Sequence, residues 1–481
     1  MKLIRELIGM YRPRYANTLV YMLQNVEYQT KPYRQWLWRT KDFSTVMYRR
    51  QLDKTKAARL LLLAVSLGIS LQVGAGVALI VLGLTHYVVG GVAFGTAVIV
   101  AYPIVWGYAV VLPLVVGRLF ISQPAEQRLI AESEKIFAKH RGIKIAVAGS
   151  YGKTSMKELL NTVLSEGLSV AATPANKNVS ISHAYFARKL TGQEDVLIIE
   201  YGEGAPGDIA RFARITQPTH AVITGLAPAH LDHYKTLAAA GKDIFTVADY
   251  VKPEHVYVNS DSADTKPFLK RSYELFSNDG ALGWEVKKVV TEISGTSFEL
   301  HKGKKVLKLQ SGLVGRHQLG FLTFVAALAL EFGLSETQVR AGIAKTQPFE
   351  HRMQPYQLSG AWVVDDTYNG NLEGIRAGTQ LLQDLSAKRK IYVTPGLVDQ
   401  GVETERIHLE VGKLIAAAQP DIVILMQNSA TPYIQQGLET AVYSGEVRVE
   451  KDPLDFYTNL THFVAAGDLV VMQNDWTDNY A

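Results

Sequence analysis

Residues 144–155 read KIAVAGSYGKTS. Ile145 to Ala148 is apolar without a polar break, which predicts a strand buried on both faces over Lys144–Ala148. The strand runs directly into Gly149, Ser150, Tyr151, Gly152, Lys153 and Thr154, and a helical pattern follows through Ser155 to Gly167. A strand, a glycine loop and a helix opening with Lys-Thr form a phosphate cradle. Backbone N–H groups and the helix N-terminus face the anion, Lys153 neutralises it, and the Thr154 hydroxyl is placed to ligate magnesium. Only two residues separate the glycines, fewer than in the usual P-loop, so the strand–loop–helix setting carries the reading.

Working outward, the α/β rhythm continues. Val196–Ile199 is a second apolar strand ending at Glu200, and His220–Thr224 is a third whose following loop holds His230. Functional side chains of open α/β sheets gather at the carboxyl ends of strands. A carboxylate and an imidazole there suit a magnesium site beside phosphate, although each alone also fits a capping or surface residue.

The other direction leads into a different kind of chain. From Leu60 to Gly117 there are 58 residues without one Asp, Glu, Lys or Arg, far more than the roughly 20 that span a bilayer once. The run lies too deep in the chain for a cleaved signal peptide. The glycines from Gly83 to Gly91, around His86, predict a turn between helices at about 60–84 and 88–116, the second kinked by Pro103 and Pro113. Arg49, Arg50, Lys54, Lys56 and Arg59 precede this transmembrane hairpin and Arg118, Arg128, Lys135 and Lys139 follow it, which predicts both flanks on the cytoplasmic side.

Residues 1–56 carry 12 Lys/Arg against 4 Asp/Glu, whereas the rest of the chain is slightly acidic. Leu19, Met22, Leu23 and Val26 recur at helical spacing, and Tyr11, Tyr15, Tyr21, Tyr28, Tyr33, Trp36 and Trp38 alternate with the basic residues. That composition predicts an interfacial helix pair on anionic membrane lipid, with no nucleic-acid partner. There are no cysteines, which removes disulfides and thiolate chemistry.

The body of the chain resembles the Mur ligase family, and within it the F-type branch, the UDP-N-acetylmuramoyl-tripeptide–D-alanyl-D-alanine ligases. The resemblance rests on an ordered set of strings: AGSYGKTSMKELL (148–160), TPANKNVSI (173–181), IIEYGEGAPGDIARFARITQPTHAVITGLAPAHLDHY (198–234), AAGKDIF (239–245), VNSD (258–261), GRHQ (315–318), HRMQ (351–354) and VVDDTYNGN (363–371). It implies an α/β fold with a P-loop-type central ligase domain over 143–345 and a Rossmann-like C-terminal domain over 346–481. Before these come the basic segment 1–56, the hairpin region 57–120 and a linker helix over 121–142 that begins near Pro124.

The resemblance also implies roles, position by position. Lys153 and Thr154 match the phosphate-loop pair. Glu200, His230 and Lys242 match a magnesium set in which the lysine is carried as a carbamate, an anionic oxygen ligand in place of an ammonium. Asn176 and Asn178 match amides on the substrate side. Gln318 stands at an adenine-contacting position where the family has Asn, Arg352 matches an arginine that reaches the γ-phosphate, and Asp366, Tyr368 and Asn369 match residues flanking the nucleotide. Val179 and Ser182 depart from the substrate loop, and Pro395-Gly396 departs from the usual Gly-Asp, leaving Asp399 and Gly401 near the expected acidic-Gly pair. The phosphate and metal set is intact.

The implied reaction uses ATP and Mg2+. A substrate carboxylate attacks the γ-phosphate, and an amine then displaces phosphate from the acyl phosphate to leave an amide. The expected partners are a muramyl-peptide or lipid-linked cell-wall precursor and an amine or dipeptide such as D-alanyl-D-alanine. Two other readings fit the same body less closely: a membrane-associated poly-γ-glutamate-type ligase, and a non-catalytic membrane scaffold. Residues before 143 stand where F-type ligases hold the UDP-sugar, so either the UDP end is bound differently, or the substrate is lipid-linked, or the acceptor is not the usual muramyl peptide.

Overall fold

The computed structural model describes residues 11, 14–26, 28–40, 43, 52–86, 90–174, 177–227, 234–368, 370–397, 400 and 403–474. His230, Asn176, Asn369, Asp399 and Gly401 lie outside the described residues. The chain divides into two units, Met1–Arg128 and Leu129–Ala481.

In the first unit a helix spans Lys56–Thr85, started by the Thr55 hydroxyl, which accepts from Ala58 N–H at 3.2 Å. Leu60 and Leu71 face outward, 67% and 65% exposed, while Leu61 turns inward, and the helix is long and apolar enough to cross a membrane. The return path is broken into Gly91–Val100, Tyr102–Ala109 and Leu112–Gly117, then a π-turn over Arg118–Ser122 that runs on into Gln123–Lys139. The breaks fall at Ala101 and at Val110 and Val111, just before Pro103 and Pro113, whose missing N–H groups are tolerated in the first turn of each new helix. Small residues bring the first two helices together: a Cβ on Gly95 would lie 2.5 Å from the Gly76 carbonyl oxygen.

Helices Tyr15–Asn25 and Thr30–Arg39 pack on this hairpin, with Leu19, Leu23 and Tyr33 fully buried. The Tyr33 hydroxyl donates to Gly107 O at 2.9 Å and the Tyr15 hydroxyl donates to Pro103 O. Gln72 ties the hairpin internally, accepting from Trp106 Nε1 and donating to Val98 O, both at 2.8 Å. The aromatic segment is thus partly a packing element: Tyr15 and Tyr33 give their hydroxyls to helix carbonyls, while Trp38 stays exposed as an interfacial residue would.

The second unit is α/β, as the sequence implies. Its first sheet is built from β1 (Ile143–Ala148), β2 (Val170–Ala172), β3 (Val196–Glu200), β4 (His220–Ile223), β5 (Val256–Asn259), β6 (Glu274–Ser277), β7 (Gly280–Ala281), β8 (Trp284–Glu292), β9 (Gly295–Lys302) and β10 (Lys305–Ser311). The order is β10-β9-β8-β7-β6-β5-β4-β1-β3-β2, parallel from β2 to β6 and antiparallel beyond. The antiparallel meander was not legible from the sequence pattern. Alternate residues of β1 face two cores: Ile145 and Val147 meet one hydrophobic cluster, Ala146 and Ala148 the other. Helix Leu319–Glu331, apolar on nearly every side, is buried on nearly every side.

A second sheet comprises β11 (Gln354–Leu358), β12 (Ala361–Asp366), β13 (Arg389–Thr394), β14 (Ile422–Met426), β15 (Glu446–Glu450) and β16 (Asp468–Gln473), ordered β11-β12-β16-β13-β14-β15 with only β11 antiparallel. Register decides what the ends present. Val147 lies beside Glu200 and Ala148 beside Ile223, so the glycine loop, Glu200 and Thr224 emerge together. In the second sheet Asp366 lies beside Gln473.

Candidate active site

The glycine loop is laced to the end of β4. Ser150 N–H donates to Gly225 O at 2.9 Å, and the Thr224 hydroxyl donates to Ala148 O at 3.2 Å and to Tyr151 O. Gly149, at φ +142°, has no room for a side chain, since a Cβ would lie 2.3 Å from Thr224 Oγ1. Gly152, at φ +73°, makes the left-handed step into helix Lys153–Leu164. The free N–H groups of that helix start therefore open at the carboxyl ends of the strands, where an anion is favoured. The half-buried Tyr151 ring lies against Gly225; desolvation pushes its hydroxyl up to about 12 against a hydrogen bond from Ser262.

Lys153 Nζ donates to Gly149 O at 2.5 Å and pairs with Glu203 Oε2 at 2.6 Å. Thr154 Oγ1 donates to Glu200 Oε1 at 3.1 Å, and Asn178 Nδ2 donates to the same oxygen at 3.3 Å. Glu200 is 1% exposed. Its Oε2 accepts no hydrogen bond, although the buried Lys157 ammonium stands 3.4 Å away. The Glu200 backbone is clamped as well: its N–H donates to Thr173 Oγ1 at 3.1 Å, and its carbonyl lies 2.8 Å from His183 Nε2. Burial drives His183 down to about 4, so the ring stays neutral and serves as a strut.

Four expected residues, Lys153, Thr154, Asn178 and Glu200, therefore meet at one place. Two hard oxygens, Thr154 Oγ1 and Glu200 Oε1, sit together beside a buried oxygen that lacks a hydrogen bond, a donor set that fits magnesium. Lys242 sits in the last turn of helix Leu237–Phe245 with its side chain exposed. Its neighbour Asp243 ties that helix to the Glu200 loop, accepting from Gly207 N–H at 2.7 Å and from the Tyr234 hydroxyl at 2.9 Å. The sequence reading missed Glu203, Lys157 and His183. Lys157 carried a signal, one helical turn beyond Lys153 on the same face.

A second group forms on the other sheet. His351 and Met353 both have positive φ, +58° and +47°, on either side of Arg352. Such left-handed conformations in residues with side chains are held by their surroundings. Here Tyr368 N–H donates to His351 O at 3.1 Å, and Met353 N–H donates to Asp366 Oδ1 at 3.2 Å. The result sets the Arg352 guanidinium 4.6 Å from the centre of the Tyr368 ring. Gln473 Nε2 donates to Asp366 Oδ2 at 2.7 Å, and Tyr392 in turn donates to Gln473 Oε1 at 2.6 Å. Gln318 lies at the start of helix Leu319–Glu331, its amide 2.8 Å from His317 Nε2. Burial holds His317 down at about 4, so the ring is neutral.

Burial also raises the Asp366 carboxyl to about 7, against the Gln473 hydrogen bond, the Met353 N–H and the Arg352 charge. A carboxyl raised in the folded state stabilises the fold below its unfolded value and loses that contribution as pH climbs to about 7. Asp366→Asn removes the titration. Its melting temperature relative to the parent is expected to rise by about 3 °C between pH 4 and pH 7 and to stay level above. A pH-independent difference in a calorimetric series would refute this.

Residues 147–329 match the Mur ligase middle domain and residues 351–473 the Mur ligase glutamate ligase domain. Over 291 residues the chain is 28% identical to the UDP-N-acetylmuramoyl-tripeptide–D-alanyl-D-alanine ligase of Escherichia coli (strain K12), a match covering 58% of this chain and 63% of that protein. The enzyme of the same name from Mycobacterium leprae is 28% identical over 369 residues, covering 68% and 70%. The solved MurF ligase of Thermotoga maritima in complex with ADP superposes with a TM-score of 0.64 at 22% identity, over 73% of this chain and 80% of that one, a likeness of fold.

Proposed function

The chain belongs to the Mur ligase family, and on that footing we propose that it is an ATP-dependent amide-forming ligase that adds D-alanyl-D-alanine, or a similar amine, to a muramyl-peptide precursor of peptidoglycan. The observation that carries the proposal is the gathering of Lys153, Thr154, Asn178 and Glu200 around one glycine loop at the strand ends. The loop N–H groups, Lys153 and Thr154 hold the phosphates, with Ser150 and Ser155 beside them. Thr154 and Glu200, with His230 and Lys242 by family position, hold magnesium. When bound, magnesium spreads the negative charge that builds up as carboxylate meets γ-phosphate. Arg352 brings a further cation from the second sheet, and its stacking on Tyr368 limits the directions in which it can reach. Asp366, Tyr368 and Asn369 flank the nucleoside, Gln318 faces the adenine, and Asn176 and Asn178 border the acceptor.

The reading includes location. Lys56–Thr85 and Tyr102–Lys139 are long and apolar enough to cross a membrane, and basic residues lie at the outer ends of the pair, up to Arg59 and from Arg118 on. We propose a two-pass anchor with the ligase body cytoplasmic, where soluble UDP-linked and lipid-linked precursors are both within reach. One preparation tests both parts. The full chain should pellet with membranes and be released only by detergent. The extracted protein should release phosphate from ATP and magnesium only when given both a muramyl-tripeptide acceptor and D-alanyl-D-alanine, with a product of summed mass less water. Phosphate release with no carboxylate–amine pair would overturn the ligase, and recovery without detergent would overturn the anchor.

A further inference from the structure

Glu203 has no role in the family reading above, yet it makes the shortest ion pair in the cradle, 2.6 Å from Lys153 Nζ. Both side chains are nearly enclosed, 12% and 5% exposed. The same ammonium donates to Gly149 O, so the cation lies folded back on its own loop. Beneath the loop Lys153 pairs with Glu203, and the buried Lys157 ammonium lies between Glu158 Oε1 at 3.0 Å and Glu200 Oε2 at 3.4 Å. Phosphate entering the cradle competes with Glu203 for Lys153.

Glu203 is not free to leave. The loop that carries it is fixed at three points: Gly202 N–H donates to Asn178 O at 2.9 Å, Ala205 N–H to Asp208 Oδ2 at 2.9 Å, and Gly207 N–H to Asp243 Oδ1 at 2.7 Å. The first clamp ends on a residue that also bonds Glu200, and the last on the helix that carries Lys242. A carboxylate on so fixed a loop remains at the cradle when the lysine turns away. It then stands as a negative charge close to the arriving phosphates, and a cation entering with them relieves the repulsion.

We propose that Glu203 is a built-in counter-ion that phosphate must displace from Lys153, so that it penalises nucleotide arriving without magnesium and makes binding depend on the metal complex. The proposal rests on the nucleotide reading of the loop. In functional terms it is a selectivity device: before nucleotide arrives the Lys153 charge is compensated by Glu203, and the metal-free nucleotide, which could bind but not react, is held weakly.

The test is the affinity of the detergent-extracted full chain for ADP, measured by calorimetry with magnesium and with chelator, for the parent, Glu203→Gln and Lys153→Ala. In Glu203→Gln the metal-free ADP affinity should rise by about tenfold, the order expected when one like charge is removed from beside an anion. Affinity for the magnesium complex should change much less, so the ratio of the two affinities shrinks. Unchanged or weaker metal-free binding in Glu203→Gln, with the parent binding and Lys153→Ala not, overturns the counter-ion alone. If the parent itself binds no ADP, the nucleotide reading falls and takes this inference with it. Glu203→Asp, which keeps the charge but withdraws it by one methylene, provides a second reading should the Gln variant fold poorly. It is expected to gain a smaller factor, and no gain there counts against the proposal equally.

Discussion

Lys153→Ala is expected to lower ATP-dependent ligation by a factor on the order of a thousand or more, equivalent to about 4 kcal/mol of transition-state stabilisation. Among the described residues the lysine is the cation that lies on the glycine loop itself, bonded to Gly149 O. The proposed reaction brings a carboxylate onto a polyphosphate, so removing a charge from that loop is felt in binding and again in phosphoryl transfer. The same substitution strips the enclosed Glu203 of its cation. An unpaired buried charge destabilises by up to a few kcal/mol, so the melting temperature of Lys153→Ala should fall. Lys153→Ala combined with Glu203→Gln separates the two effects: melting is expected to recover while turnover stays lost. Phosphate release and a melting curve on the same samples decide the matter. A folded single variant that ligates at near-normal rate would remove Lys153 from the phosphate site.

What the sequence allowed one to read followed from how local each signal is. The phosphate cradle is written in consecutive residues, and the strand, the two glycines with positive φ and the helix start occur where KIAVAGSYGKT puts them. Glu200 was legible because a strand's last residue in an open α/β sheet has a fixed destination. Glu203 was not, because its direction depends on a loop held by Asp208 and Asp243, the latter 40 residues away in sequence. The β8–β10 meander was missed because lysines alternate there with valines and leucines on a half-exposed surface that no motif crosses. In the first unit an aromatic ring with a polar tip has the same signature at a membrane surface and against a helix carbonyl, and only the geometry of Tyr15 and Tyr33 separates them. The prolines were more direct: an absent N–H must fall where a helix restarts, and both breaks fall there.

Lys242→Ala is expected to cut turnover by about a hundredfold or more while leaving the melting temperature unchanged. The two halves of that expectation have different sources. The side chain is exposed at the last turn of its helix and is not part of a core, so its loss should not unfold anything. Its backbone position, however, is joined to the site through the next residue, since Asp243 holds the Gly207 end of the loop that begins at Glu200. An ammonium in such a place would repel the magnesium that Thr154 and Glu200 are suited to hold. Addition of carbon dioxide to the neutral amine, with loss of a proton, turns it into a carbamate whose oxygens attract the metal instead. If that is the working form, formate or acetate should enter the space left by alanine and restore part of the rate, and chloride at equal ionic strength should not. Full activity in Lys242→Ala would sink the assignment. Loss of activity accompanied by a lower melting temperature would point to the Asp243 clamp as the true casualty, a distinction that Asp243→Asn, with Lys242 intact, makes directly.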